Sequence, residues 1–314
     1  MRIYNRAEIA KVVNPVVAID AIAEGFAAFS KGNVIVPPVG HLEFTNPPGE
    51  MHIKYGYRVG DDVFVVKIAT GFYQNPAHGL PSSGGLLLVC SAKTGFPQAL
   101  LLDEGSLTDL RTAAAGAVAA KYLAPKNVRA IGIVGSGTQA HLQLDLLRHV
   151  TTCRRAVIWA RDPAKARSFK VDGFSIEVAD SVAALCGQCN LIVTTTPSRE
   201  PLVPADAVRP GTHITAVGAD SPGKQELEAS LFAKAEVLAV DSRAQCFDHG
   251  ESVHALNSKV VARSGFVELG EIIAGTVRGR TGDEQITITD LTGLAVQDIQ
   301  IAKLALRSLE LGSI

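Results

Sequence analysis

The chain has 314 residues, 47% of them hydrophobic, which suggests about two domains with ample apolar side chains for their cores. Its formal net charge is −1 at pH 7, and no basic run alternates with aromatic residues, so nucleic-acid binding is not predicted. No segment approaches ~18 uninterrupted apolar residues, and no basic stretch followed by an apolar one opens the chain, so we expect a cytoplasmic protein without a membrane partner.

The N-terminal part of the chain is predicted to combine helices with short strands. Apolar residues at helical spacing predict an amphipathic helix from Ile19 to Phe29. Short β-rich runs predict strands over Met51 to Tyr57, Val63 to Ala69 and Leu86 to Cys90. An alanine-rich helix from Leu110 to Leu123 then ends at a proline-containing linker. We therefore place the first domain boundary after residue 123.

The most specific local motif is a glycine-rich turn between a predicted strand, Val128 to Val134, and a predicted helix, Thr138 to His149. Gly135 allows the tight turn, Gly137 lets the backbone approach phosphates, and Ala140 is small enough for close packing of helix on strand. The unpaired amides at the helix start, near Ser136, favour an anion. With a second strand over Ala156 to Trp159, this unit predicts a dinucleotide site.

The tip of that second strand distinguishes NAD(H) from NADP(H). An acidic residue there would bond the ribose 2′-hydroxyl and repel a 2′-phosphate. Arg161 comes first instead, and its guanidinium can stack on adenine or bind a phosphate. This favours NADP(H), although a small backbone shift would bring Asp162 to the ribose of NAD(H).

The remainder of the chain alternates strands with helical segments, as a doubly wound sheet requires. Strands are predicted over Leu191 to Thr195, His213 to Val217 and Val237 to Val240. A final helix, Val296 to Leu311, is expected to fold back onto the first domain. The prediction is an α/β protein with a Rossmann doubly wound parallel sheet over residues 124–289, and a second, α+β domain made of residues 1–123 with 290–314.

The five cysteines are scattered along the chain, which is typical of reduced thiols and not of a disulfide framework. Cys186 and Cys189 have the spacing of a redox pair or of half a zinc site, but no second close pair accompanies them. We interpret them as two buried thiols at a helix end, and we predict no metal site.

The segment that follows the strand His213 to Val217 has residues suited to chemistry. Gly218 would let a flat ring approach the backbone, and Asp220 could exchange a proton with a substrate nitrogen or oxygen beside a nicotinamide. The alternative is that Asp220 only opens the turn Ser221-Pro222-Gly223, and the local sequence does not decide between the two.

A second set of candidates runs from Lys54 through Lys67 and Ser82 to Arg111. Lys67 ends an apolar strand, where an inward lysine is costly unless it meets a carboxylate or a developing oxyanion. Arg111 begins the alanine-rich helix, where a bidentate clamp on a carboxylate is geometrically natural. For each residue alone, an exposed cation or a structural salt bridge is the alternative.

Taken together, these residues resemble the ornithine cyclodeaminase and mu-crystallin family over nearly the whole chain. The start of the alanine-rich helix and its distance to the glycine turn are the most specific part of this resemblance. The motifs that carry it are the Lys67 strand, Gly79-Leu-Pro-Ser-Ser83, Thr94-Gly95, Leu107-Thr-Asp-Leu-Arg-Thr-Ala-Ala-Ala115, the Gly-Ser-Gly-Thr-Gln-Ala turn, Thr194-Thr-Thr-Pro197, Gly218-Ala-Asp220 and Leu291-Thr-Gly-Leu-Ala295.

The resemblance implies a homodimer in which each subunit pairs a Rossmann domain with a substrate-binding and dimerisation domain. It also implies an enzyme that moves hydride between a nicotinamide and the α-carbon of a small amino or imino acid. By position, Lys67 and Arg111 would bind the carboxylate and Asp220 would be the acid/base; Ser82 stands where some members have threonine. The residues that would contact the cofactor are Thr112, Ser136, Thr138 and Gln139 at the phosphates, Thr195, Thr196 and Pro197 at the adenosine half, and Val217, Gly218 and Thr292 at the nicotinamide.

Two departures from the family pattern bear on the substrate. Ornithine-converting members carry a glutamate where this chain has Lys54, which would repel ornithine's second ammonium by about 4 kcal/mol at ~4 Å and an effective dielectric near 20. They also carry an arginine for the carboxylate near His41, so His41 or Lys54 is a substitute candidate. The prediction is an NAD(P)H-dependent reductase of a cyclic ketimine or of iminosuccinate.

Two other readings stay open at this point. An ornithine or lysine cyclodeaminase with catalytic bound NAD+ would release ammonia without net use of cofactor, and Lys54 argues against it. A non-catalytic, mu-crystallin-like protein would bind a small ligand on the same fold, and the joint presence of Lys67, Arg111 and Asp220 argues against that.

Overall fold

The computed structural model describes residues 1–311, so residues 312–314 of the predicted 290–314 segment lie outside the described residues. The described chain forms two compact units. Unit 1 contains Met1–Arg111 and the described residues from Leu294 onward, and unit 2 contains Thr112–Gly293. The first division lies inside the alanine-rich helix and not after residue 123, and the second follows residue 293 and not 289.

The position of the first division has a packing reason. In unit 2 the Gln143 amide donates to the carbonyl of Thr112 at 3.1 Å, and the Thr287 hydroxyl donates to the carbonyl of Leu123 at 3.0 Å. Gly116 lies so close to the Gln143 side chain that a Cβ would clash with it. The helix beyond Arg111 therefore packs as part of unit 2.

Unit 1 is an α+β structure. Its sheet has the order β1-β7-β6-β5-β4-β2, with β3 paired to β4; β1 and β7 are parallel and the other pairs are antiparallel. The elements of this part of the chain are β1 Arg2–Asn5, α1 Arg6–Val12, α2 Pro15–Ser30, β2 Val34–Ile35, β3 Gly40–Thr45, β4 Pro48–Arg58, β5 Val63–Phe72, a 3₁₀ turn Asn75–His78, β6 Ser83–Ser91, β7 Pro97–Leu102 and the start of α3 Ser106–Leu123.

The two faces of this sheet differ in their cover. On the inner face Lys67, Leu87 and Leu101 follow one another across β5, β6 and β7, and all three are buried. The C-terminal helix packs on α2 and on β4 within this unit. The opposite side, which we call the outer apolar face, is half-exposed and consists of Ile3, Leu42, Phe44, Met51, Ile53, Tyr55, Val66, Ile68, Leu86, Leu88, Leu100 and Leu102.

Unit 2 is a doubly wound α/β structure with an eight-stranded parallel sheet of order β10-β9-β8-β11-β12-β15-β13-β14. Its elements, with the final helix of unit 1, are β8 Ile131–Val134, α4 Thr138–Leu147, β9 Arg155–Trp159, α5 Pro163–Ser168, β10 Ser175–Val178, α6 Val182–Gln188, β11 Leu191–Thr194, β12 His213–Ala216, a 3₁₀ segment Ala229–Lys234, β13 Val237–Val240, α7 Arg243–His249, α8 Glu251–Asn257, a 3₁₀ turn Arg263–Gly265, β14 Phe266–Glu268, α9 Leu269–Ile273, β15 Thr287–Asp290 and α10 Ala295–Leu311.

The central strands of this sheet are buried at every position, as expected for a parallel sheet with both faces covered. The predicted α/β class is therefore confirmed. The sequence pattern missed the strands β1, β2, β3, β7, β10, β14 and β15. Two of these show why: Gly40–Thr45 is an exposed edge strand with only two apolar residues, and Thr287–Asp290 alternates threonine with other residues over four positions only.

Among the described residues, no single helix has the length and apolar character needed to cross a membrane. The helices α1 and α2 have that length and character only when they are taken together, and the pair is bent by 89°.

Candidate active site

The glycine turn of unit 2 leaves helix amides free for an anion. Gly135, which directly follows β8, has a φ of 126°, a conformation that glycine tolerates and other residues rarely adopt. Gly137 is the N-cap of α4; within the part of the chain that the structure describes no side chain caps this helix, and a Cβ on Gly137 would meet nothing within 4 Å. The first amides of α4 therefore face open space, which suits a pyrophosphate.

A cavity of about 310 Å³ begins at this turn and collects residues predicted for the cofactor. Gly135, Ser136 and Gly137 line one side, and the segment Thr195–Pro197 after β11 lines another. Arg161 lines the end next to β9. Thr138 and Gln139 lie in the first turn of α4, and the Gln139 side chain accepts from Gln143 at 3.4 Å.

The charges at the β9 end of this cavity are mostly positive. Arg161 and Lys165 both line it. The Asp162 carboxylate, also at the cavity, accepts from the amide of Ala164 at 2.9 Å and so caps α5. The carboxylate therefore already has a local structural role, and two cations line this end of the cavity.

A buried carboxylate that sequence reasoning missed joins the ends of β11 and β12. Glu226 is 0% exposed and accepts from the Thr194 hydroxyl at 2.7 Å and from the Gly218 amide at 2.8 Å through Oε2. Its Oε1 accepts from the amide of Thr196 at 2.5 Å. Burial raises the pKa of Glu226 to about 7, and these donors act in the opposite direction. Glu226 thus fixes two of the predicted cofactor-binding segments relative to each other.

The predicted nicotinamide-side residues of unit 2 are held by similar buried contacts. A Cβ on Gly218 would clash with the carbonyl of Thr196, so only glycine fits there. Val217 is buried and donates its amide to Thr194 at 3.0 Å. Thr292 donates its amide at 2.9 Å and its hydroxyl at 3.0 Å to the buried Asp241.

Asp220 lies just beyond Gly218 and is exposed. Its Oδ1 accepts from the Lys224 ammonium at 2.6 Å and from the Ser221 hydroxyl at 3.1 Å. The carboxylate therefore lies at the surface of the loop, with a cation beside it.

Unit 1 contains a buried charge cluster that includes both cations singled out in the sequence. The Lys67 ammonium lies 2.9 Å from each carboxylate oxygen of Asp298 on α10. The Arg111 guanidinium Nε lies 3.2 Å from Oδ1 of the same carboxylate, and its Nη1 donates to the Gln297 side chain at 3.1 Å. Lys67 and Asp298 are each 2% exposed, so the idea of an exposed lysine is wrong.

The electrostatics of this cluster show an excess of positive charge. Burial, together with the charges of Arg111 and Lys54, lowers the pKa of Lys67 to about 7 against the opposing effect of Asp298. Lys54 stands directly opposite Lys67 on β4. Among the described side chains, Arg111 Nε and Asp298 Oδ2 are buried without a well-directed hydrogen bond. Three cations thus act on the Asp298 carboxylate. Burial raises the pKa of the nearby Asp103, and the charge of Lys67 acts in the opposite direction.

Two predicted substrate residues do not join this cluster. Ser82 is exposed and directly precedes β6. The residue of β6 that pairs with Lys67 is Leu87, which lies about 16 Å along the strand from Ser82 at ~3.3 Å per residue. His41 pairs with His52 on β4, two residues before Lys54. No local pattern predicts a buried Asp298, because an acid in an amphipathic helix is usually exposed.

The predicted character of Cys186 and Cys189 is confirmed. Both are buried at the end of α6, and burial raises the pKa of each thiol to about 12. Thiols with such pKa values are protonated and unreactive at neutral pH.

Comparison with known sequences identifies related proteins over the full length. The sequence model of the ornithine cyclodeaminase/mu-crystallin family matches residues 2–311. An uncharacterized cyclodeaminase from Sinorhizobium fredii is 41% identical over 99% of this chain and 96% of its own. An alanine dehydrogenase from Archaeoglobus fulgidus is 38% identical, with 96% and 92% covered, and an iminosuccinate reductase from Paracoccus denitrificans is 32% identical, with 96% and 95% covered.

Solved structures resemble this fold closely. An archaeal alanine dehydrogenase dimer with bound NAD has a TM-score of 0.92 at 36% identity, with 100% of this chain and 97% of the other covered. The pyrroline-2-carboxylate reductase of Thermococcus litoralis, solved with NADH and L-proline, has a TM-score of 0.93 at 29% identity, with 100% and 99% covered. A lysine cyclodeaminase has a TM-score of 0.87 at 30% identity, with 100% and 94% covered.

Proposed function

Because this chain belongs to the ornithine cyclodeaminase/mu-crystallin family, we propose that it is an NAD(P)H-dependent reductase of a small imino acid. The reaction would add hydride to the carbon of a C=N bond beside a carboxylate and a proton to the nitrogen. Cyclic ketimines and iminosuccinate are the substrate types we favour. The observation that carries the proposal is the buried cluster of Lys67 and Arg111 on one carboxylate, with Lys54 opposite.

The glycine turn of unit 2 fits a nicotinamide dinucleotide. The uncapped amides of α4, with Ser136, Thr138, Gln139 and Thr112, would hold the phosphates, and Thr195 to Pro197 would border the adenosine half. Val217, Gly218 and Thr292 would border the nicotinamide, which supplies the hydride when bound. Relatives solved with NAD or NADH support this assignment. Arg161 and Lys165 favour NADP(H) at the ribose.

The excess positive charge in unit 1 fits a substrate carboxylate. Arg111 is buried, and its Nε lacks a well-directed hydrogen bond, which a substrate oxygen would provide. An anionic substrate would also relieve the mutual repulsion of Lys54 and Lys67. These groups would bind and orient the imino acid by its carboxylate, and Asp220 would deliver a proton to the imine nitrogen as hydride reaches the carbon.

The test is the consumption of NADPH or NADH by the purified protein, followed by its absorbance. The substrates offered are pyrroline-2-carboxylate, piperideine-2-carboxylate, pyruvate with ammonia, and oxaloacetate with ammonia. Consumption with one of these establishes the reductase and ranks the substrates. Redox-neutral conversion of ornithine or lysine to the cyclic amino acid, with no consumption of reduced cofactor, would instead make the chain a cyclodeaminase.

A cyclodeaminase is the second candidate function, since the relative that is 41% identical is named an uncharacterized cyclodeaminase. Lys54 counts against it, because a second ammonium on the substrate would meet a cation on β4 beside Lys67.

We also propose that the protein is a homodimer formed through the outer apolar face of unit 1. Phe44, Tyr55 and Leu42 on this face are 37%, 40% and 48% exposed, and together with their neighbours they form a contiguous apolar surface of the kind that marks an interface. The dimeric archaeal alanine dehydrogenase supports this assembly.

A further inference from the structure

The hairpin of β3 and β4 places two histidines and two glutamates on one face of the sheet. His41 is directly opposite His52, and Glu43 is directly opposite Glu50. Because side chains alternate along a strand, residues two apart share a face, so His41-x-Glu43 and Glu50-x-His52 form a compact quartet.

Three of these side chains already converge. One ligand atom from each of His41, Glu50 and His52 lies within 4.8 Å of the others. Nε2 of His52 is 3.3 Å from Oε2 of Glu50. The rings of His41 and His52 are stacked, with centroids 4.8 Å apart and planes at 22°. Only small rotations of the side chains are needed for two nitrogens and one oxygen to reach a common ion at ~2.0–2.2 Å.

The pairing itself is unfavourable for folding alone. Like charges directly opposite each other on neighbouring strands are destabilising, and here the Glu43 carboxylate is directly opposite the Glu50 carboxylate. A divalent cation bound between these side chains would offset the repulsion of the two carboxylates. Lys54, which follows on the same face of β4, acts electrostatically on Lys67 directly opposite it on β5 and on Asp298 of α10.

Tyr73 gives the carboxylate the support typical of a metal ligand. Its hydroxyl donates to Oε1 of Glu50 at 2.6 Å, while Oε2 faces His52. Such outer hydrogen bonds orient ligands and are a regular part of metal sites. His41 is exposed and Glu50 and His52 are half-buried, so an ion can enter from solvent.

We propose that this hairpin binds one divalent transition-metal ion, for which Zn²⁺ is the best match. His41, His52 and Glu50 are the ligands, and water or Glu43 completes a tetrahedron. Imidazole nitrogens with a carboxylate oxygen suit Zn²⁺ far better than Ca²⁺ or Mg²⁺, which prefer oxygen ligands alone. None of the three ligands belongs to the cluster of Lys67, Arg111 and Asp298, and in this proposal His41 binds the ion and not the substrate carboxylate. The bound ion would hold β3 against β4.

The test is calorimetric titration of the full-length, chelator-treated protein with Zn²⁺ alone. We expect about one ion per chain, with binding abolished in His41→Ala and His52→Gln. Tyr73→Phe is expected to weaken binding ~10- to 100-fold, as loss of an outer hydrogen bond does. Zn²⁺ should also raise the melting temperature of the natural chain and leave that of His52→Gln unchanged.

Two control variants keep the result specific. His78→Ala removes an exposed histidine outside the hairpin, and Cys153→Ser removes the one cysteine in the described residues that is not buried. Both should bind Zn²⁺ as the natural chain does. Absence of saturable binding, or equal binding by His41→Ala and His52→Gln variants whose circular dichroism is native, would overturn the proposal.

Discussion

Lys67 is a buried cation whose protonation depends on its neighbours, and this dependence should appear in substrate binding. Burial lowers its pKa to about 7, so the ammonium is present below that pH and is lost as the pH rises through it. If Lys67 binds the substrate carboxylate, affinity is highest at low pH, and KM rises by about tenfold per pH unit well above the pKa.

Lys67→Arg should remove this dependence, because a guanidinium stays protonated throughout that range. The measurement is KM for the best imino acid between about pH 6 and about pH 9 in both proteins. An identical rise of KM in the arginine variant would mean that another group titrates.

Asp220 is expected to act in proton transfer and not in binding. Asp220→Asn should retain NADPH and lower kcat by ~10²- to 10⁴-fold, the usual contribution of a positioned proton donor. Cofactor binding can be followed by the fluorescence of Trp159, which is the single tryptophan of the chain and lines the cavity at the glycine turn. Full turnover in this variant would mean that Asp220 has no catalytic role and is only a turn residue paired with Lys224.

At the scale of elements, the ends of β11 and β12 depend on one buried side chain. Both oxygens of Glu226 accept hydrogen bonds from backbone N–H groups. If Gln replaces Glu226, the NH₂ group of its amide must face one of these donors without a hydrogen bond. Glu226→Gln should therefore weaken NADPH binding by ~1–3 kcal/mol. Glu228→Gln is the matched control, because the Glu228 carboxylate, two residues away, accepts instead from the backbone amide of Ala205. Equal affinity in both variants by Trp159 fluorescence would contradict a positioning role.

The end of β9 should determine the choice of dinucleotide. Arg161→Ala removes a cation from the cavity while Asp162 continues to cap α5, so the helix is retained. A hydrogen bond to a charged group contributes ~1.5–3 kcal/mol, and we expect the preference for NADPH over NADH to fall by roughly tenfold or more. The ratio of kcat/KM for the two cofactors is the measurement, and an unchanged ratio would exclude Arg161 from the 2′-phosphate site.

At the scale of the whole molecule, the outer apolar face of unit 1 should control assembly. Ile68→Lys places a charge at the centre of this face, where desolvation on association would be costly. We expect monomers by sedimentation, whereas Val178→Asp, at an exposed apolar residue of β10 in unit 2, should remain dimeric. A dimeric Ile68→Lys protein would place the interface elsewhere.

Much of the fold was predictable because its signals are local. The strand, glycine turn and helix around Gly135 lie within a few residues of one another, and the spacing alone indicates a dinucleotide site. The predicted helices and strands agree with α2, α3, β4, β5, β8 and β11 to within a few residues. The edge strand β3 was missed because its alternating apolar residues are only two, Leu42 and Phe44, and both are exposed.

The candidate site was predictable only in part. Lys67 and Arg111 stand out by themselves, since a cation in an apolar strand or at the start of an alanine-rich helix requires a partner. Their partner Asp298 lies 231 residues after Lys67, and no local pattern links the two. Glu226 and Glu50 are similar cases, since a glutamate in a loop or at the start of a strand is usually exposed.

The sequence by itself thus determined the family resemblance, the α/β class and the position of the phosphate-binding turn, because each depends on neighbouring residues and their spacing. The tertiary structure decided which partners the carboxylates meet: Asp298 meets Lys67 and Arg111, Glu226 meets the ends of β11 and β12, and Glu50 lies near His41 and His52. Such contacts depend on how sheets and helices pack, and burial then makes each charge or hydrogen bond strong enough to matter.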